Sequence, residues 1–253
     1  MHPQICLVPG SQPQVSIRDW VGAAAEAGFR FLALQAAQLE TYLAARPLPV
    51  LDDLLRDYQV YLGGIYISLP QDVGEAYEAL LFRSRFMECC TCLDALGGGV
   101  MVLSLAEGVS VARDLIAQTL ADLVQIAAPF DVRVALTCSS GGSTVALGVA
   151  EGQELVRQAA PRNGGLALDA DSLTGDVAQV AEWVRWVHLG DVSSFANQDG
   201  PTREHLVEFV RALAQSGFAG PYGVAPAPDI GPVSEAVRAA RQIVLDLLVP
   251  FYD

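Results

Sequence analysis

The sequence predicts an α/β fold: a (β/α)8 TIM barrel, as one domain over residues 1–253. Two observations carry this. Short apolar runs alternate along the whole chain with longer stretches whose apolar residues recur at spacings of three and four, the pattern of buried parallel strands between amphipathic helices. Eight such alternations fit into 253 residues, the usual length of one closed barrel, and 52% apolar composition is enough to fill its core. An open doubly wound sheet is the alternative. Against it, Gly97–Gly99 and Gly141-Gly142 do not form the G-x-G-x-x-G turn that a dinucleotide requires.

Each element has its own signal. The first strand is expected at Ile5–Val8, and a helix over Ser16–Ala27 opens on a capping-box pair, Ser16 and Asp19, and closes at Gly28. Phe29–Leu34 reads as the second strand. Helical stretches at Leu39–Ala45 and Leu51–Tyr58 follow, separated by the Pro47 and Pro49 break. Gly64–Leu69 is the third strand, Gly74–Leu96 a long helix, and Gly97–Gly99 turns the chain into a fourth strand at Val100–Leu103. A helix over Val109–Ala128 stops before Pro129, and the fifth strand is Val132–Thr137. Beyond the Ser139–Ser143 loop come a helix at Val149–Ala159, a sixth strand at Leu166–Asp169, a short amphipathic helix and a seventh strand at Val184–Leu189. Thr202–Ser216 is helical, Gly223–Ala225 is the eighth strand, and the last helix begins at Val233.

Composition excludes several chemistries. All 15 basic residues are arginine, and without lysine there is no Schiff-base chemistry, no pyridoxal phosphate attachment and no Walker A nucleotide site. A net charge of −14 without any basic run argues against nucleic acid as a partner. No apolar run is long enough to span a bilayer and the first residues lack a signal-peptide pattern, so the expectation is a cytoplasmic protein with no membrane partner. Cys89, Cys90 and Cys92 read as small buried helix residues.

Polar residues gather at two strand ends. Strand six runs into Asp169, Asp171 and Ser172, and strand seven carries His188 and Asp191. In a parallel barrel the carboxyl ends of strands share one face, where sites are built. The segments GLALDADSL (165–173) and WVHLGD (186–191) resemble strands six and seven of the xylose isomerase-like barrels, which include sugar epimerases, sugar isomerases, inosose dehydratases and endonuclease IV. AAAEAGFRFLAL, FMECCTCLDALGGGVMVL and LAQSGFAGPYGVAP resemble the helices entering strands two, four and eight.

The resemblance implies one divalent metal (Mn, Mg, Co or Zn) held by Glu, Asp, His and Glu at the ends of strands five to eight. Asp169 and His188 match the middle two ligands, while Thr137 and Ala225 fall where the glutamates are expected and Ser172 where a substrate-binding histidine is expected. Losing both glutamates removes two ligands and the acid/base pair, so weak metal binding is expected unless Asp171, Asp191, Asp199 or Asp229 steps in. A zinc site from Cys138, Asp169 and His188 is chemically allowed. The candidate catalytic residues are therefore Asp169, His188 and Asp191, with Asp171, Ser172, Thr137 and Arg162 as candidate substrate contacts. Glu107 reads as a loop acid, Arg185 and Arg203 as surface charge, Trp183 and Trp186 as packing, and His2 and His205 as surface. Two functions stay open: a sugar isomerase or epimerase acting on a small polyhydroxylated carbonyl compound, or a barrel that kept sugar binding and lost catalysis, working as a binding or regulatory subunit or within an oligomer. An abasic-site endonuclease is disfavoured by three histidines and the acidic charge.

Overall fold

The computed structural model describes residues 3–9, 15–105, 112–138, 147–159, 162–170, 177–191, 201–218, 220–227 and 232–252. The strands are β1 (Gln4–Leu7), β2 (Phe31–Gln35), β3 (Tyr61–Leu69), β4 (Val100–Leu105), β5 (Arg133–Cys138), β6 (Gly164–Asp169), β7 (Val184–Asp191) and β8 (Pro221–Ala225). They are all parallel, pair in sequence order, and close through β8 onto β1, forming a TIM barrel. The helices are α1 (Ile17–Ala27), α2 (Ala36–Ala45), α3 (Leu48–Asp57), α4 (Ala76–Ala95), α5 (Arg113–Ala127), α6 (Val149–Ala159), α7 (Pro201–Gln215) and α8 (Val233–Tyr252).

Local chemistry sets the boundaries. The Ser16 hydroxyl accepts from the Asp19 amide at 3.2 Å while the Asp19 carboxylate accepts from the Ser16 amide at 3.3 Å, so two otherwise orphaned donors are satisfied at the start of α1. Gly28 ends the helix at φ 82°, a left-handed conformation that costs a side-chain-free residue little. Most strands extend one to three residues beyond the apolar runs, because backbone pairing continues through polar or glycine positions such as Tyr61–Gly64 and Gly190-Asp191. The expected short helix between β6 and β7 is not found among the described residues: two 3₁₀ turns, Val177–Gln179 and Ala181–Trp183, lie there instead.

Strand periodicity sorts the core into two bodies. The larger one fills the layer between strands and helices and includes Leu7, Leu34, Ile65, Leu103, Leu136, Leu168, Phe86 and Leu120. The smaller one, Cys6, Val8, Ala33, Val100, Val102, Ala135, Ala167 and Trp186 with Phe31 and Tyr66 against it, occupies the inside of the barrel. Small residues dominate there because one large one sits among them. Trp186 is fully buried, and a methyl group added at Gly64 or at Gly223 would lie 2.9 Å from its indole. Those two positions on β3 and β8 are thus held open for the tryptophan of β7. Cys89, Cys90 and Cys92 are buried on the inner side of α4, as expected.

Candidate active site

The same alternation that sends Trp186 inward sends His188 inward one step nearer the carboxyl end of β7. Asp169 follows Ala167 on β6, Thr137 follows Ala135 on β5, and Ser104 and Ser68 follow Val102 and Tyr66 on β4 and β3. Asp169 and His188 are direct register partners, so the two best sequence candidates stand side by side on neighbouring strands. Across the barrel, the Tyr66 ring meets His188 edge-on at 6.3 Å between centroids and Trp186 at 5.7 Å. The Ser68 and Ser104 hydroxyls are 3.0 Å apart.

Among the described residues, four buried polar atoms of this group lack a hydrogen-bond partner: Tyr66 Oη, Thr137 Oγ1, Trp186 Nε1 and His188 Nε2. Buried polar atoms are ordinarily paired, and four orphans in one neighbourhood suit a ligand or ordered water. Burial pushes the Tyr66 phenol well up, with the charges of Cys6 and Asp169 acting in the same direction and the nearby Trp186 indole opposing them without hydrogen-bond geometry. Burial lowers the His188 pKa and Asp169 partly offsets this, so near neutral pH the imidazole is uncharged. A neutral imidazole accepts a proton at its bare nitrogen, and a neutral phenol donates a hydrogen bond.

The other candidates fall as follows. Thr137 is half-buried on the inner face of β5, and Ala225 ends β8 opposite Asp191 in register, although the Asp191 side chain lies outside the described set. Between His188 and Asp191 the register slips against β8, with Gly190 at φ 84°. Asp171, Ser172, Asp199, Asp229, Glu107 and His2 also lie outside the described residues.

Arg162 does not reach this site. It is exposed two residues before β6 begins, at the amino ends of the strands, and so cannot contact a substrate held at their carboxyl ends. Arg185, second in β7, is at that same far end and donates to the carbonyls of Glu182 and Val184. The Cys138 zinc arrangement also fails. Being one residue beyond Thr137, Cys138 faces outward against α6, where a methyl group on Gly152 would lie 2.1 Å from its sulfur. Burial pushes that thiol up to about 12. His205, expected on the surface, is half-buried in α7 with Nε2 shielded.

Two contributors were missed in the sequence, Tyr66 and the Ser68/Ser104 pair. The run GIYISL carries the alternation that places Gly64, Tyr66 and Ser68 on one face, but which face points inward depends on the pairing of β3 with β4.

The donors present among the described residues are too few for a resident divalent metal. Asp169 and His188 supply one carboxylate and one imidazole, the positions on either side are Thr137 and Ala225, and no group of three or more His, Cys, Asp or Glu side chains assembles among the described residues. These residues do not fit a four-ligand site.

Solved structures, xylose isomerase-like barrels among them, share this closed eight-stranded architecture. A xylose isomerase domain protein from Alicyclobacillus acidocaldarius subsp. acidocaldarius superposes with a TM-score of 0.80 at 18% identity, covering 100% of both chains. The IolI protein with a bound zinc atom gives 0.77 at 15% identity over 99% of each chain. D-psicose 3-epimerase with D-tagatose from Clostridium cellulolyticum H10 gives 0.79 at 15% identity over 97% of this chain and 99% of that one. No family model and no curated protein matches by sequence. This chain therefore shares the barrel fold of these three proteins. No described helix is long and apolar enough to cross a membrane.

Proposed function

We propose that the protein binds a small polyhydroxylated carbonyl compound at the carboxyl-terminal mouth of the barrel and moves a proton on the carbon beside the carbonyl, as a sugar isomerase or epimerase does. The observation that carries this reading is the register pairing of Asp169 with His188 on the inner face, with the Tyr66 ring edge-on to His188 and its hydroxyl unpartnered. In this reading the neutral His188 imidazole takes the proton at Nε2. The Tyr66 hydroxyl, kept protonated by burial, donates a hydrogen bond to the oxygen on which negative charge develops, and Asp169 stabilises the imidazolium formed. Thr137 and the serine pair hold sugar hydroxyls. The proposal extends to Asp171, Ser172 and Asp191 on sequence grounds. No step is routed through a metal.

A second reading has its own support: the replacement of both expected glutamates by Thr137 and Ala225 suits a barrel that binds sugar without turning it over. One experiment separates the two. Ketoses are incubated with the protein in D2O and followed by proton NMR. Deuterium entering beside the carbonyl, and lost in His188→Asn and Asp169→Asn, supports catalysis. Binding without exchange supports the second reading, and neither binding nor exchange defeats both.

A further inference from the structure

Resting on the sugar reading above, the distribution of charge narrows the ligand: we infer that the mouth of the barrel takes an unphosphorylated, uncharged polyhydroxylated carbonyl compound and rejects its phosphate ester. The chain has 15 arginines and no lysine, and every arginine falls among the described residues, so the position of each permanent side-chain cation is known. None lies on the inner face near the carboxyl ends of the strands. Arg133 is the first residue of β5 and Arg185 the second of β7, both at the opposite end of the barrel, beside Arg162. Only Arg18, Arg113 and Arg203 approach the mouth end, each exposed in the first turn of an outer helix, α1, α5 and α7. The remainder sit on the outer helices or in the segments that follow them.

What does face inward is of a different kind. Toward the carboxyl ends, Tyr66, Thr137 and Trp186 present neutral donors without partners, Ser68 and Ser104 present hydroxyls, and the one described charge on the inner face there is the Asp169 carboxylate. Hydroxyl and carbonyl groups satisfy such a surface one for one. A phosphate dianion does not: it would enter a region of low dielectric beside Asp169 with no guanidinium on the inner face to neutralise it, in a chain whose net charge is already −14. Proteins that hold phosphate use charge-assisted donors, above all arginine, and this chain spends its arginines elsewhere.

The test is calorimetric titration of the whole chain with 2-ketopentoses and 2-ketohexoses, D-tagatose and D-fructose among them, each as the free sugar and as its terminal phosphate ester, at low and at moderate ionic strength. Free sugar is expected to bind, its ester about tenfold more weakly or worse at low salt, and the gap is expected to shrink as salt screens Asp169 and the net charge. An ester that binds as tightly as its free sugar, or more tightly, overturns the inference and leaves the sugar reading standing. If no sugar binds in either form, the sugar reading itself falls and takes the inference with it.

Discussion

Replacing Gly223 by alanine tests the internal packing that supports the site. The new methyl would lie 2.9 Å from Trp186 Cζ2, 2.9 Å from Nε1 and 2.9 Å from Val8 Cγ2. An ordinary carbon contact is roughly half an ångström longer. The indole cannot retreat freely, because its far edge lies against Gly64, where an added methyl would also stand 2.9 Å away. Overpacking of this sort costs about 1–3 kcal/mol. For a chain of 253 residues each kcal/mol lowers Tm by about 2–4 °C, so G223A is expected to melt about 2–12 °C below the parent. The decisive measurement is a double-mutant cycle in thermal melts. In a Trp186→Leu background two of the three atoms that the methyl would strike are gone and Val8 Cγ2 remains, so the cost of the alanine should shrink without vanishing, a coupling of about 1–2 kcal/mol. Gly64→Ala supplies the contrast. Its methyl would also meet the Val100 carbonyl oxygen, a backbone atom, at 2.9 Å, so that variant should stay destabilised in both backgrounds. An unchanged Tm for G223A, or an equal loss with and without Trp186, would refute this account of the barrel interior.

Other outcomes follow from the same structure. Tyr66→Phe removes an unpartnered buried hydroxyl, so thermal stability should hold or rise while sugar affinity in titration falls by about 1 kcal/mol, roughly fivefold; a large stability loss with unchanged affinity would place the hydroxyl elsewhere. His188 has a lowered pKa in the fold, so its contribution to stability is full above the ordinary histidine range and is lost as pH falls through that range toward the folded value. Denaturation midpoints between pH 7 and 5 should therefore drop less in His188→Asn than in the parent. All five cysteines are free and buried, with Cys89, Cys90 and Cys138 pushed up to about 12 by burial, so native protein at pH 8 should resist thiol reagents that label five sites after unfolding. Thr137→Glu with Ala225→Glu places carboxylates near the ends of the two strands that flank those of Asp169 and His188; equilibrium dialysis should then show a divalent ion bound more tightly than by the parent, and equal affinity would sink the assignment of those two positions.

Much of this protein was legible in one dimension. Burial on both faces of each strand demands continuous apolar runs, outer helices demand a three-and-four spacing, and the two periods in alternation leave few architectures besides a closed parallel barrel. Asp169 and His188 were visible for the same reason: a charged or ionisable group ending an apolar run is costly to bury unless it faces a site. Which face of each strand turns inward was not visible, because a shift of one residue in pairing exchanges the two faces and runs such as VALTC are apolar on both. Only the closed barrel decided that Thr137 looks in and Cys138 looks out, that Arg162 stands at the wrong end, and that Trp186 fills the space left by Gly64 and Gly223 beneath Tyr66 and His188. Sequence fixes the period along a strand, but the phase of that period is a long-range property, set when strands far apart in the chain share hydrogen bonds around one axis.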